Sequence, residues 1–145
     1  MNARTQMTFY VDSSRCIACG ACDVACKDWN DIEPGIHWRK VISLESGKYP
    51  SVKVFMTTLS CMHCADPPCA KVCPTKAIEK RMKDGIVLVQ KEKCIGCRKC
   101  LEACPFGVPQ FGEDGLAQMC NFCVERLENG QNPICVDACV MRCIH

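Results

Sequence analysis

Cys94-Ile-Gly-Cys-Arg-Lys-Cys-Leu-Glu-Ala-Cys-Pro105 is the stretch that decides the fold of this 145-residue chain. Its four cysteines follow the spacing C-x2-C-x2-C-x3-C, and a proline follows the last of them. Bacterial proteins use this spacing to bind cubane iron–sulfur clusters. A chain that carries the pattern several times is predicted to transfer electrons.

The same arrangement recurs along the chain, and sixteen of its seventeen cysteines fall into four groups of four. Four [4Fe–4S] clusters require sixteen thiolates, so we predict four such clusters. The groups, called motifs one to four, are Cys16, Cys19, Cys22 and Cys26; Cys61, Cys64, Cys69 and Cys73; Cys94, Cys97, Cys100 and Cys104; and Cys120, Cys123, Cys135 and Cys139.

Zinc sites and disulfides are the other common uses of abundant cysteine. A zinc site usually takes two C-x2-C pairs, or one pair with histidines. Here two motifs have three cysteines in succession at two-residue gaps, and the chain has only three histidines. Disulfides fit poorly, because the cysteine count is odd and residues 1–12 lack the apolar stretch of a secretory signal. The pattern favours iron–sulfur clusters, with zinc as the serious alternative.

The composition predicts that bound clusters replace part of a hydrophobic core. The hydrophobic fraction of 48% includes the cysteines. Without them it is about 37%, which is small for a self-sufficient core. We therefore expect that the chain does not fold stably without its clusters.

The formal net charge of +2 counts every thiol as neutral. An oxidised [4Fe–4S] core with four thiolates carries about −2, so four of them bring the loaded protein to about −6. Basic residues near the motifs are interpreted as local compensation for this charge, not as a nucleic-acid patch. For each one alone, a solvated side chain is the alternative. These residues are Lys27, Lys71, Lys76, Arg98 and Lys99.

The pairing of the motifs decides which cysteines share a cluster. In two-cluster ferredoxins the fourth cysteine of each motif binds the cluster of the other motif. Motifs two and three are adjacent, and both have a proline after the last cysteine, whereas motifs one and four lack it. We therefore predict nested pairing, two with three and one with four; sequential pairing of one with two and three with four is the alternative. Nested pairing gives site A (Cys16, Cys19, Cys22 and Cys139), site B (Cys120, Cys123, Cys135 and Cys26), site C (Cys61, Cys64, Cys69 and Cys104) and site D (Cys94, Cys97, Cys100 and Cys73).

Nested pairing also divides the chain. The predicted inner unit, with motifs two and three, covers residues 61–105. The predicted outer unit, with motifs one and four, covers residues 1–60 and 106–145. The long segment between Cys26 and Cys61 gives the chain room to leave the outer unit and begin the inner one.

The local patterns predict an α+β, loop-rich fold of short hairpins and short helices. Lys83-Asp84-Gly85 is a turn signal before residues 86–90, of which the first four are apolar, and this indicates a hairpin. Polar and apolar residues alternate over 52–56, which indicates a strand. The x3 step before the last cysteine of each motif suits one helical turn. We therefore expect short helices after Cys22, Cys69, Cys100 and Cys135.

No stretch of the sequence approaches the length needed to cross a bilayer, since the most apolar one, residues 86–89, is only as long as a strand. We expect a soluble chain, or one held to a membrane by a partner without inserting itself. Cluster assembly needs a reducing compartment, so we expect a cytoplasmic protein. A periplasmic location after export with a folded partner is the alternative.

In order and spacing the motifs resemble the four-cluster iron–sulfur subunit of the dimethyl sulfoxide reductase family of molybdopterin enzymes. The resemblance begins at Asp12, and its best stretches are CIACGACDVACKDW (16–29), SCMHCADPPCAKVCP (60–74), CIGCRKCLEACPFGVPQ (94–110) and NPICVDAC (132–139). It implies two interlocked ferredoxin-like units with the nested pairing. It also implies a non-catalytic subunit that relays electrons between a molybdenum- or tungsten-pterin catalytic subunit and a further electron donor or acceptor.

Two other interpretations remain open at this point. The shortness of the chain favours a resemblance to the small polyferredoxin subunit of tungsten-containing aldehyde oxidoreductases. The alternative function is a free polyferredoxin-type carrier. We expect no catalytic residues and no nucleic-acid partner, because the sequence has no phosphate-binding loop, no nucleotide fingerprint and no basic recognition helix.

A few residues outside the ligand sets also invite interpretation. Cys143 is interpreted as a buried free cysteine, with a substitute ligand or a redox-exposed thiol as alternatives. His63 lies between two motif cysteines; we interpret it as a loop histidine facing solvent or a partner, the alternative being a hydrogen bond to a cluster sulfur that raises its potential. Trp29 or Trp38 is expected in the core, and His37 has no evident partner.

Overall fold

The computed structural model describes residues 6–145, so the first five residues of the predicted outer unit lie outside it. Within this range, short helices and three two-stranded antiparallel sheets are joined by long loops. The predicted loop-rich α+β fold is confirmed. The elements are α1 (Ala21–Trp29), β1 (Arg39–Ser46), β2 (Lys53–Ser60), α2 (Pro68–Lys71), β3 (Ile78–Lys80), β4 (Val87–Val89), a 3-10 turn (Lys91–Lys93), α3 (Lys99–Ala103), β5 (Gln110–Phe111), β6 (Ala117–Gln118), α4 (Val124–Glu128) and α5 (Ile134–Asp137).

All four predicted helices are present. Cys22, Cys69, Cys100 and Cys135 lie on α1, α2, α3 and α5, respectively. The helix of motif one packs against that of motif four, and the helix of motif two against that of motif three. Helix α4, which follows Cys123, was not predicted. No helix in the part of the chain described by the structure has the length and apolar character to cross a membrane.

The hairpin predicted around residues 83–90 is confirmed, since β3 and β4 pair with Ile78 opposite Val89. The strand predicted at residues 52–56 is part of the longer β2. Its partner β1 was not predicted, and the two pair from Arg39 opposite Ser60 to Ser46 opposite Lys53. The base of this hairpin is buried and its far end is exposed.

Within residues 6–145 the apolar core has two groups, and both contain motif cysteines. One group places Ile78, Val87 and Met119 among cysteines of motifs two, three and four. The other places Ile144 among cysteines of motifs one and four together with Cys143. Phe9 packs against both groups. The cysteines therefore form a large part of the buried interior.

Candidate metal centres

All four motifs bend the backbone in the same way at the C-x2-C step. The residue before the second cysteine has a positive φ in each motif: Ala18 (53°), His63 (44°), Gly96 (66°) and Phe122 (58°). This conformation costs a residue other than glycine roughly 1–2 kcal/mol. The His63 N–H donates to the Cys61 Sγ at 3.4 Å, and the Phe122 N–H donates to the Cys120 Sγ at 3.4 Å. The strained turn thus directs backbone donors to the sulfur atoms, as expected at a functional position.

Three cavities are each lined by the four cysteines of one predicted site. The first cavity collects the cysteines of site A, the second those of site C, and the third those of site D. They contain about 320, 360 and 300 Å³ of space between atoms, part of it open to solvent. The structure therefore places a cysteine of motif four beside those of motif one. It also places cysteines of motifs two and three beside one another.

The cysteines of site B are the most buried set. Their exposed fractions are 5% for Cys26, 6% for Cys120, 6% for Cys123 and 3% for Cys135. Cys26 lies on α1 and Cys135 on α5, two helices that pack against each other. Burial raises the pKa of Cys26 to about 12, and the nearby Cys135 and Cys123 contribute to the same rise. The site B thiols are therefore close enough to influence one another.

Burial also disfavours thiolate formation in site C. It is the largest cause of the raised pKa of Cys61, about 12, and of Cys69, about 11. Iron binds the thiolate form, so binding must release these protons and supply positive charge in their place. Thiols with such a raised pKa become iron ligands only when the free energy of metal binding exceeds the cost of removing the proton.

The arrangement of the thiols fits a polynuclear cluster. A zinc ion holds sulfur ligands at about 2.3 Å, so the ligands converge on one point. In sites A, C and D the four cysteines surround a shared cavity. Ala77 N–H donates to Cys73 Sγ at 3.2 Å, and Ala117 N–H donates to Cys94 Sγ at 3.3 Å. Hydrogen bonds to cluster sulfurs are one means by which proteins set the reduction potential.

Cys143 lies at the cavity of site A. It is 2% exposed and lines the same cavity as the four predicted ligands. Its Sγ is 3.4 Å from the Cys139 Sγ, and its N–H donates to that sulfur at 3.3 Å. The thiol is buried, as predicted, and the redox-exposed alternative is wrong.

The interpretation of His63 as a solvent-facing residue is wrong, because the imidazole is only 1% exposed. Its Nδ1 accepts a hydrogen bond from the Val87 N–H at 3.0 Å, which leaves the proton on Nε2. Burial lowers its pKa to about 4, so the ring is neutral. Nε2 is buried and has no hydrogen-bond partner among residues 6–145. Sequence alone could not show that β4 would cover this loop.

Several polar residues have partners that the sequence did not indicate. The Lys27 Nζ donates to the carbonyl oxygens of Glu33 at 3.1 Å and Ile36 at 2.6 Å. His37, for which no partner was evident, contacts Asp23 at 2.9 Å.

Three further side chains show different environments. Lys71 forms an ion pair with Asp66. Trp38 packs against the core and donates to Gln118 Oε1 at 3.0 Å, whereas Trp29 is 48% exposed. The expectation that one tryptophan lies in the core is therefore confirmed.

Arg39 is the buried charged residue that sequence analysis missed. It is 1% exposed, and its guanidinium donates to Ser60 Oγ at 3.0 Å and Thr58 Oγ1 at 3.4 Å. It belongs to no motif and stands beside the exposed Lys40, so neither spacing nor composition distinguishes it. Only the pairing of β1 with β2 shows that the arginine points inward.

Known proteins are similar to this chain over nearly its whole length. A family model described as a 4Fe-4S dicluster domain matches residues 52–145. The chain is 41% identical over 149 residues to the B subunit of anaerobic dimethyl sulfoxide reductase from Escherichia coli (strain K12), covering 97% of this chain and 72% of that protein. It is 39% identical to the formate dehydrogenase iron-sulfur subunit of Wolinella succinogenes, covering 96% and 80% of the two sequences.

A third relative is named for a different reaction but is the same kind of subunit. The chain is 34% identical to the arsenate respiratory reductase iron-sulfur subunit of Shewanella sp. (strain ANA-3), covering 89% of this chain and 76% of that protein. The resemblance inferred from the motifs is thereby confirmed, and so is the prediction of a non-catalytic electron-transfer protein with 4Fe-4S clusters. The chain belongs to the family of electron-transfer iron–sulfur subunits of dimethyl sulfoxide reductase-type molybdopterin oxidoreductases.

Proposed function

We propose that this chain binds four [4Fe–4S] clusters in sites A to D and relays electrons between a molybdenum- or tungsten-pterin catalytic subunit and a further redox partner. The main support is that each of three cavities is lined by three cysteines of one motif and the fourth cysteine of another. Sequential pairing would require Cys73 at site A, whereas the cavity there is lined by Cys139. The burial and proximity of the site B thiols support the fourth cluster.

The protein contributes ligands, hydrogen bonds and protection from water to this function. When bound, each cluster supplies a one-electron redox centre whose potential depends on charge, hydrogen bonds and exposure. The cysteines hold the iron, and backbone N–H groups donate to sulfurs in all four sites. Such a site needs no acid, base or nucleophile, which agrees with a subunit that carries out no substrate chemistry.

We infer that the sites form two interlocked ferredoxin-like units, an inner one over residues 61–105 and an outer one over residues 1–60 and 106–145. The packing of α1 against α5 and of α2 against α3 supports this division. The two units are also in contact, because His63 of the inner unit meets the Phe122 ring of the outer unit edge-on at 5.1 Å between centroids.

The partner is inferred from the relatives, which are named as parts of dimethyl sulfoxide reductase, formate dehydrogenase and arsenate reductase. We propose that this chain assembles with a pterin-containing catalytic subunit of the same kind. We also propose cytoplasmic cluster assembly, because a ligand set made only of reduced thiols requires a reducing compartment.

Anaerobic purification from the natural source tests the function. We expect about sixteen iron and sixteen sulfide ions per chain, and stoichiometric copurification with a pterin protein. Zinc in place of iron would contradict the cluster assignment. A fully loaded chain that elutes alone would contradict the subunit role and support the free-carrier alternative.

A further inference from the structure

Motifs two, three and four end in the same backbone turn. Three positions after the last cysteine of each motif, the residue has a positive φ. Its N–H donates to the carbonyl oxygen of that cysteine at 3.1–3.2 Å. The three residues are Lys76 (53°), Gly107 (58°) and Arg142 (49°). The residue after each turn therefore occupies an equivalent position in the three motifs.

This next residue is buried and lines the cavity of the site to which the last cysteine belongs. Ala77 is 1% exposed at site D, Val108 is 8% exposed at site C, and Cys143 is 2% exposed at site A. The Ala77 N–H donates to the Cys73 Sγ at 3.2 Å. The Cys143 N–H donates in the same way to the Cys139 Sγ at 3.3 Å. Because alanine and valine fill this position at the other two sites, the turn itself does not require a thiol.

The thiol of Cys143 adds a fifth sulfur to the cavity of site A, whereas the cavities of sites C and D are each lined by four cysteines. Its Sγ is 3.4 Å from the Cys139 Sγ. Two sulfurs bound at about 2.3 Å to one tetrahedral metal ion lie about 3.8 Å apart. The sulfurs of Cys139 and Cys143 are therefore close enough to bind the same iron ion.

The segment that carries Cys143 is held in place by backbone hydrogen bonds to residues 10–12. The Asp12 N–H donates to the Cys143 carbonyl oxygen at 2.8 Å. Tyr10 and His145 exchange two N–H to carbonyl hydrogen bonds, each of 2.8 Å. None of these bonds involves the side chain of Cys139. The Cys143 thiol is therefore expected to stay at the cavity when that side chain is removed.

Resting on the proposed function, we propose that Cys143 is an alternate ligand of the cluster at site A, able to bind the iron ion that Cys139 holds. In this exchange the bond from iron to the Cys139 sulfur breaks, the bond to the Cys143 sulfur forms, and the proton of Cys143 passes to Cys139. No electron is transferred, so the cluster keeps its oxidation state. Sites C and D carry Val108 and Ala77 at the equivalent position, and neither side chain can bind iron.

Removing the last cysteine at two sites tests the proposal. Cys139→Ala leaves the Cys143 thiol at site A, and the double variant Cys139→Ala/Cys143→Ala removes both. Cys73→Ala is the matched control, because Ala77 provides no thiol at the equivalent position of site D. Cys143→Ala alone measures whether Cys139 suffices. Each full chain is purified anaerobically with its natural partner, its iron is counted, and its reduced clusters are recorded by electron paramagnetic resonance.

We expect the fraction of chains with a cluster at site A to be about tenfold higher in Cys139→Ala than in the double variant, since losing even a group that supports a ligand typically costs that much metal affinity. The retained cluster should have a shifted resonance, because its ligand has changed. Cys73→Ala should lose the cluster of site D, and Cys143→Ala should keep all four. Equal occupancy of site A in Cys139→Ala and the double variant, whether high or low, would overturn the proposal. Loss of that cluster in Cys143→Ala would overturn it too.

A transplanted thiol covers the case in which the site A variants cannot be purified. Cys73→Ala/Ala77→Cys places a thiol at site D in the position that Cys143 has at site A. We expect it to restore the cluster that Cys73→Ala loses, and failure to restore it would overturn the proposal. Wild-type protein without four clusters would instead contradict the proposed function.

Discussion

Sites B and D share the same C-x2-C turn and a short helix, yet their surroundings differ. All four cysteines of site B are buried, whereas in site D Cys97 is exposed and only Cys100 is fully buried. Arg98, inside the motif of site D, has its guanidinium carbon 5.3 Å from the centroid of the Phe111 ring. The motif thus determines the ligands, and neighbouring elements determine solvent access and charge, two of the quantities that set a reduction potential.

Removing all iron abolishes the difference between the sites and has the largest expected effect. Because cysteines form much of both core groups, we expect the chain to lose its entire stability, roughly 5–15 kcal/mol for a domain of this size. Circular dichroism during thermal unfolding, before and after anaerobic chelation, measures this. A mock-treated sample is the control, and a cooperative unfolding transition in the iron-free chain would contradict the prediction.

Replacing the fourth cysteine of a motif sharpens the assignment of ligands to sites. We expect Cys104→Ala to impair the cluster of site C and to leave site B intact, because Cys104 lines the cavity of site C. Iron should fall by up to about four atoms per chain. Cys139→Ala is the matched variant in the outer unit and should impair site A. Iron analysis and electron paramagnetic resonance show which cluster each variant has lost or altered. Loss of the cluster bound by motif four in Cys104→Ala would favour sequential pairing.

The difference in exposure predicts a difference in the rate of iron loss. We expect a chelator to remove iron from site D about tenfold faster than from site B, equivalent to about 1.4 kcal/mol of local opening free energy. Stopping the reaction at intervals and recording the remaining cluster signals measures both rates on the same sample. Equal rates would show that global unfolding, and not local exposure, controls access.

A further prediction concerns the strained turn that all four sites share. In Gly96→Ala the new Cβ would lie 2.6 Å from the Gly115 carbonyl oxygen, at a φ of +66°. We expect a loss of about 1–3 kcal/mol in stability, centred on site D. Ala18→Gly, at the equivalent turn of site A, relieves strain and should be close to neutral. Thermal unfolding of both loaded variants tests the pair, and equal destabilisation would contradict the role assigned to the turn.

Much of this molecule follows from local sequence. The positions of the cysteines indicated the chemistry, since four thiols at these spacings suit a cubane cluster. Their x3 steps correctly placed α1, α2, α3 and α5, because one helical turn spans three to four residues. The turn signal at residues 83–85 correctly placed the β3–β4 hairpin. Each of these features depends on residues close together in the chain.

Other features depend on contacts between distant segments. Strand β1 has no strong pattern of its own and exists by pairing with β2, which turns Arg39 inward to the hydroxyls of Thr58 and Ser60. His63 is buried because β4 covers its loop, although its motif resembled an exposed turn. Local spacing therefore determined which residues can bind iron. Long-range packing alone decided which of them are shielded from water, because burial is a property of the assembled interior.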